Sequence, residues 1–328
     1  MSVIYIKEQG AYLQLRGGRL VVTKGTQQLL EYPLLNLDNV VCFGKIQITT
    51  QLLHRLLEDG IDVSYFSYNG RYLGHTCSET SKNIFLRFSQ YEYYQNLDKR
   101  LAFARVIVEN KIYNQIAVIK KYRFDKDAYD PKHDLAQMMK LAQSLSQKQT
   151  DNEIMGIEGL SSNIYFGCFK HMLKCEIIFE NRNRRPPKDP VNAILSLAYT
   201  FLTKDMCTLL DSESFETYLG FLHGIRYGKK SLALDMIEEW RQPIVDRLVI
   251  RLFNLKILSQ SDFVDVEPEG IHLTEDGFKK FCQEYEKYMN APCINGKSFR
   301  ILMKQQVAKL KKGLLEGTMY TPFRYDGV

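Results

Sequence analysis

The sequence predicts an α+β architecture: an N-terminal β-rich domain over residues 1–77, a linker at 78–86 and a larger all-α domain over 87–328. Three observations carry this expectation. Up to about residue 77 the chain consists of short runs rich in β-branched and aromatic residues, punctuated by glycine pairs. Beyond that point apolar residues recur at helical spacing almost to the end. At 328 residues the chain is long enough to bury two separate cores.

In the first part, "VIYIKE", "AYLQLRGGRLVVTKG" and "NVVCFG" read as strands. Gly17-Gly18 and Asn69-Gly70 offer the positive φ that tight hairpin turns require. One helix interrupts the strands at "ITTQLLHRLLEDG", with Thr49 or Thr50 as its cap and Gly60 as its stop. Residues 61–75, "IDVSYFSYNGRYLGH", close the domain as a last hairpin.

After the polar "CSETSKN", "YYQNLDKRLAFARVIVENKIYNQIAVIKKY" reads as one long amphipathic segment. "DLAQMMKLAQSLSQ", "NEIMGIEGLSSNIYFGCFKHMLK" and "PVNAILSLAYTFLTKDMCTLL" read as further helices. Another is expected from Ser231 and one more over 243–256. A short strand-like insert lies near "DVEPEGIHLT", and a basic helix, "SFRILMKQQVAKLKKGLLEG", ends the series.

Composition narrows the function classes. With 45% hydrophobic and 25% charged residues, wholesale disorder is excluded. No uninterrupted apolar run approaches the ~20 residues of a membrane span. The N-terminus lacks the pattern of a secretion signal. Seven scattered cysteines with no Cys-x-x-Cys pair argue against a disulfide framework or zinc ribbon, so a cytoplasmic location is expected. The formal charge of +6 is unevenly spread. Residues 1–80 balance seven basic against seven acidic side chains, while residues 297–328 carry seven basic against two acidic. A second basic cluster is "RNRRPPK", with Arg182, Arg184 and Arg185. Such clusters suit phosphate neutralisation, and a solvated helix face accounts for them too.

The stretch "HGIRYGKKSLALDMIEEWR" concentrates the chemistry. In a helix from Ser231, a rotation of about 100° per residue puts Asp235, Glu238 and Glu239 on one face. An amphipathic helix with a wet outside explains that face. The alternative is a cation site, because no basic residue on the same face offsets the acids. His223 lies twelve positions before Asp235. An imidazole nitrogen with two carboxylates suits Mn²⁺ or Mg²⁺. Glu158 in "MGIEGLSSNIYF" is a further candidate. Gly156 and Gly159 beside it leave room for a backbone or a ligand, whereas a helix-start glutamate is the plainer explanation. "GIRYGKK" fails as a phosphate-binding loop in both spacing and final residue, and no His-Glu-x-x-His, Gly-x-Ser-x-Gly or dinucleotide fingerprint occurs.

Three blocks, "IMGIEGLSSNIYF", "RNRRPPKDPVNAILSLAYTFL" and "YLGFLHGIRYGKKSLALDMIEEWRQPIVDRLV", resemble those of the CRISPR-associated integrase family, Cas-one. The resemblance extends over essentially the whole chain and makes the helical domain the catalytic one. It implies Glu158, His223 and Glu238 as metal ligands for Mg²⁺ or Mn²⁺, Asp235 as a further active-site acid and Asn192 as active-site support. It also implies insertion of short duplex DNA into a CRISPR array, a 3′-hydroxyl attacking a phosphodiester at the repeat edge. Endonuclease activity, a homodimer paired through the β domain and a heterohexamer with the smaller protein Cas-two complete the expectation. Arg182, Arg184, Arg185, Lys229 and Lys230 are candidate phosphate contacts on charge alone. Ser161-Ser162 and Trp240 depart from the family pattern, and neither is expected to touch a ligand. A nuclease acting on branched or single-stranded DNA and a non-catalytic DNA scaffold are the competing readings.

Overall fold

The computed structural model describes residues 3–76, 78, 83–125, 128–174, 177–183 and 186–325. The chain divides into two compact units, Met1–Thr80 and Ser81–Val328.

The first unit holds β1 (Val3–Ile6), β2 (Tyr12–Arg16), β3 (Arg19–Lys24), β4 (Gln27–Pro33), β5 (Asn39–Phe43), β6 (Gln47–Ile48), α1 (Thr50–Glu58), β7 (Asp62–Phe66) and β8 (Tyr72–Thr76). They form two four-stranded sheets, ordered β1-β5-β7-β8 and β4-β3-β2-β6. Gly17 and Gly18, at φ 54 and 73, make the two-residue turn that joins β2 to β3. β4 escapes the sequence reading because most of its side chains face solvent and leave no apolar alternation. β1, β5 and β7 run parallel rather than as hairpins. β5 is accordingly buried at every position and reads as an unbroken apolar run. Thr49 caps α1 by accepting the Leu52 N–H at 3.3 Å. Leu52 and Leu56 of α1 join Leu13, Leu20, Val40 and Val63 in the core.

The second unit is mostly helical. It comprises α2 (Ile84–Gln95), α3 (Leu97–Lys121), α4 (Lys132–Ser144), α5 (Asp151–Phe169), α6 (Pro190–Ser212), α7 (Ser231–Ile237), α8 (Arg247–Asn254), α9 (Glu275–Asn290) and α10 (Phe299–Glu316). The segment read as one long helix is two, α2 and α3, broken at Asn96. That residue leaves the helical region at ψ 105 and caps α3 by accepting the Lys99 N–H at 3.0 Å. The unit is not all α. β9 (Phe263–Val266) pairs with β10 (Gly270–Leu273) at the anticipated insert. β11 (Pro292–Ile294) and β12 (Lys297–Ser298) form a second hairpin too short to show a period in sequence. α6 is long and apolar enough to cross a membrane, yet 67% of its most apolar window is buried within the fold, as in a core helix. Between α7 and α8 a π-helical turn spans Arg241–Asp246, around Pro243, which has no N–H to give to a regular α-ladder. α3 packs against both α4 and α5, and α6 packs against α7 and the π-turn.

Candidate active site

α3 presents an inner face that is polar where helical periodicity calls for apolar residues: Asn110, Lys111, Asn114 and Gln115 are all buried. Lys111 is the critical one. Its ammonium forms ion pairs with Glu158 of α5 and, at 2.6 Å, with Glu238 just past the end of α7. Burial alone would favour the neutral amine, but Glu238 and Glu158 reverse that and raise its pKa. Two carboxylates from different helices thus point at one positive centre.

Glu158 lies about two turns inside α5, not at its start, and its side chain is 22% exposed. No atom comes within 4 Å of where a Cβ would stand on Gly156 or Gly159, so no backbone approaches there and the face is open. The Ser162 hydroxyl donates to Glu158 Oε1 at 3.1 Å. That corrects the expectation for the serine pair, since Ser162 does touch a candidate ligand.

Glu238 has a side chain only 4% exposed and accepts from Arg241 Nε at 2.8 Å. Burial pushes its carboxyl up, but Arg241, Lys111 and His223 together outweigh it and hold the group at about 2. Its Oε2 stands 2.6 Å from the ammonium and yet makes no well-aligned hydrogen bond. The contact is therefore one of charge rather than of directed donation.

His223 is oriented by Asp235. The Nδ1 of His223 lies 2.7 Å from Asp235 Oδ1. The same carboxylate takes the backbone N–H groups of Phe221, Leu222 and His223 at 2.5, 2.9 and 3.0 Å. An acceptor so rich in donors holds the ring by Nδ1 and turns Nε2 away from Asp235. Gly220 makes this approach possible: a Cβ there would fall 2.6 Å from the Ser231 Cβ and 2.9 Å from Asp235 Oδ2.

Glu239 turns the other way. It is fully buried and accepts from Tyr320 OH at 2.8 Å, Phe323 N at 2.5 Å and Gln306 Nε2 at 3.3 Å. Burial, only partly offset by these donors, pushes its carboxyl up to about 7. Asp235, Glu238 and Glu239 are all buried, so the wet-face reading fails. The basic partners missing from the helix face are supplied by Lys111, from a distant helix, and by Arg241.

The other candidates are less exposed than their charge suggested. Asn192, buried at the start of α6, accepts from Arg182 and from Asn183 N and donates to Asn181 O, clamping the preceding loop. Arg182 also reaches Ser196, so its guanidinium is engaged inside the fold. Lys230 is paired with Asp211 at 2.9 Å, and both it and Lys229 are half-buried. Arg184 and Arg185 lie outside the described residues. Trp240 stacks on Phe323 at 4.3 Å, away from the ligand candidates. Sequence reasoning missed Lys111; the signal was a lysine on the inward face of an apolar helix.

Among the described residues, no three of His, Cys, Asp or Glu gather closely enough to hold a metal as they stand. The candidate donors nevertheless fit a hard divalent cation. Both glutamates are aimed at a single cationic point, Glu238 Oε2 has no directed hydrogen bond, and His223 engages Asp235 through Nδ1 and not Nε2.

A family profile described as CRISPR associated protein Cas1 matches residues 4–287. The chain is 32% identical to "CRISPR-associated endonuclease Cas1 3" of Thermus thermophilus, over 98% of this chain and 97% of that one. It is 31% identical to "CRISPR-associated endonuclease Cas1 1" of Chlorobaculum tepidum, over 98% of each. Among solved structures, a chain of a Cas6-RT-Cas1–Cas2 complex superimposes with a TM-score of 0.85 at 25% identity, over 100% of this chain and 36% of that one. A Cas1 protein from Thermotoga maritima gives 0.85 at 24% identity over 99% and 100%, a likeness of fold. The chain belongs to the Cas1 family of CRISPR-associated endonucleases.

Proposed function

We propose that this protein inserts new spacers into a CRISPR array by metal-dependent phosphoryl transfer, the 3′-hydroxyl of a short duplex DNA attacking a phosphodiester at the repeat. One observation carries the chemistry: Glu158 and Glu238 converge on one cationic point, and His223, oriented by Asp235, is near enough for its charge to act on Glu238. These three would hold Mg²⁺ or Mn²⁺, which when bound supplies Lewis acidity toward the phosphate and the attacking hydroxyl. The chain's own residues prepare that step. Arg241 keeps Glu238 ionised, Ser162 orients Glu158 and Asp235 orients the ring of His223. Lys229 and Lys230 bring positive charge that a phosphate would meet. Pairing of two copies through the β-rich unit and assembly with a Cas2 dimer belong to the same proposal, supported by the Cas1–Cas2 complex among the structural relatives.

The curated relatives are named endonucleases, so hydrolytic cleavage is the second reading; the same arrangement would present water in place of the 3′-hydroxyl. Product analysis separates them. With Mg²⁺ or Mn²⁺ and its Cas2 partner, the protein should join a linear duplex to a supercoiled plasmid carrying a repeat array, and Glu158→Ala and His223→Ala should abolish joining. Fragments without joined strands would favour hydrolysis. Normal joining by either variant would sink the proposal.

A further inference from the structure

Lys111, Arg241, Glu158 and Glu238 form a closed quartet of two positive and two negative groups, and the Lys111 side chain is only 6% exposed. The buried Glu238 beside the part-exposed Glu158 would be costly without a countercharge, and the quartet removes that cost with no added ion. The neutralising ammonium stands at the point on which both carboxylates converge. A divalent cation and an ammonium cannot share that point, because like charges at contact distance repel strongly beside side chains as buried as Lys111 and Glu238.

We propose that Lys111 is the resident counter-ion of the metal-free site and that uptake of the divalent cation is an exchange, in which the ammonium withdraws from between Glu158 and Glu238. This rests on the metal-site reading above and adds a competitor to it. Lys111 is then a positioning residue: it keeps the two carboxylates aimed together before the metal arrives, and it weakens metal binding by occupying their focus. A purely structural ion pair would do the first and not the second.

The full-length chain is compared as wild type, Lys111→Met and Lys111→Arg, by Mn²⁺ titration followed by electron paramagnetic resonance and by thermal unfolding in EDTA and in Mn²⁺. The methionine fills the same volume without charge. It should bind Mn²⁺ at least about tenfold more tightly than wild type. It should also melt earlier in EDTA and gain more from Mn²⁺. The arginine keeps the charge and should bind no more tightly than wild type. In the wild type, amine-reactive labelling of Lys111 should rise when Mn²⁺ replaces EDTA, which tests the exchange even if the methionine variant does not fold. Wild-type binding that His223→Ala abolishes but Lys111→Met leaves unchanged or weakens would overturn the exchange alone, as would unchanged labelling. Absence of Mn²⁺ binding by wild type and methionine variant alike would overturn the metal reading together with it.

Discussion

Glu238 and Glu239 are consecutive, chemically identical and both buried, yet their environments are opposite. Glu238 faces Lys111 and Arg241 and is held at about 2; Glu239 faces neutral donors from the C-terminal segment and is pushed up to about 7. One residue of helical rotation separates a chamber lined with cations from a clamp lined with hydrogen bonds. Residue type alone therefore says little about charge here: the helices behind each glutamate decide it. The first region holds its carboxylate ionised among cations, and the second holds Tyr320 and Phe323 in place.

The sharpest way to break that division is to neutralise each side separately. Glu238→Gln should reduce DNA cleavage and joining to background, whereas Glu239→Gln should keep activity within roughly tenfold. Its cost should instead appear as a fall of about 1–3 kcal/mol in urea unfolding. Equal loss of activity in both variants would merge the two regions into one.

A second test concerns acidity away from the ligands. Burial raises the carboxyl of Asp246 to about 6, despite the hydroxyl of Tyr199 and the charge of Arg241 nearby. Between the usual value of 3.8 and about 6, the unfolded chain releases a proton that the folded chain keeps. This contribution to stability is complete below that window and lost as pH rises through it, by up to about 3 kcal/mol. Asp246→Asn has no such proton, so its urea midpoint should fall less than that of wild type between about pH 4 and pH 7. Parallel curves would show that Asp246 is ionised throughout.

The smallest effect is expected from the clamp's aromatic contact. Phe323→Ala removes the ring stacked on Trp240 and should cost about 2 kcal/mol. Trp240 is the only tryptophan in the chain, so its fluorescence reports this contact directly. Unchanged emission would mean that the tail is not seated against it in solution.

Much of this was legible in the sequence, and unevenly so. The helix from Ser231 starts where its spacing says, and Thr49 and Gly60 bound α1 as their chemistry demands. Glu158, His223 and the acids Asp235, Glu238 and Glu239 drew attention because they interrupt apolar stretches, and only the family resemblance selected Glu158, His223 and Glu238 among them. Their surroundings could not be read. Lys111 is 47 positions from Glu158, and although helical periodicity puts it on the inward face, nothing local in "VENKIYNQ" says which acids it meets there. The acids of α7 looked wet for the same reason: a helical wheel shows which residues share a face but not what covers it. The parallel strands were missed because glycine-rich turns advertise hairpins, while a parallel pairing leaves no mark at its ends.

The seating of the tail has a consequence for synthesis. Asn110 and Asn114 of α3 donate to Phe323 O, and Tyr325 N donates back to Asn114, across more than two hundred residues of intervening chain. A protein made from its N-terminus lays that wall after the residues it backs. Until residues 320–325 have left the ribosome, the nascent chain already carries Glu158, His223 and Glu238 but lacks the backing behind Glu239. Completion of that wall is thereby tied to the emergence of residues 320–325.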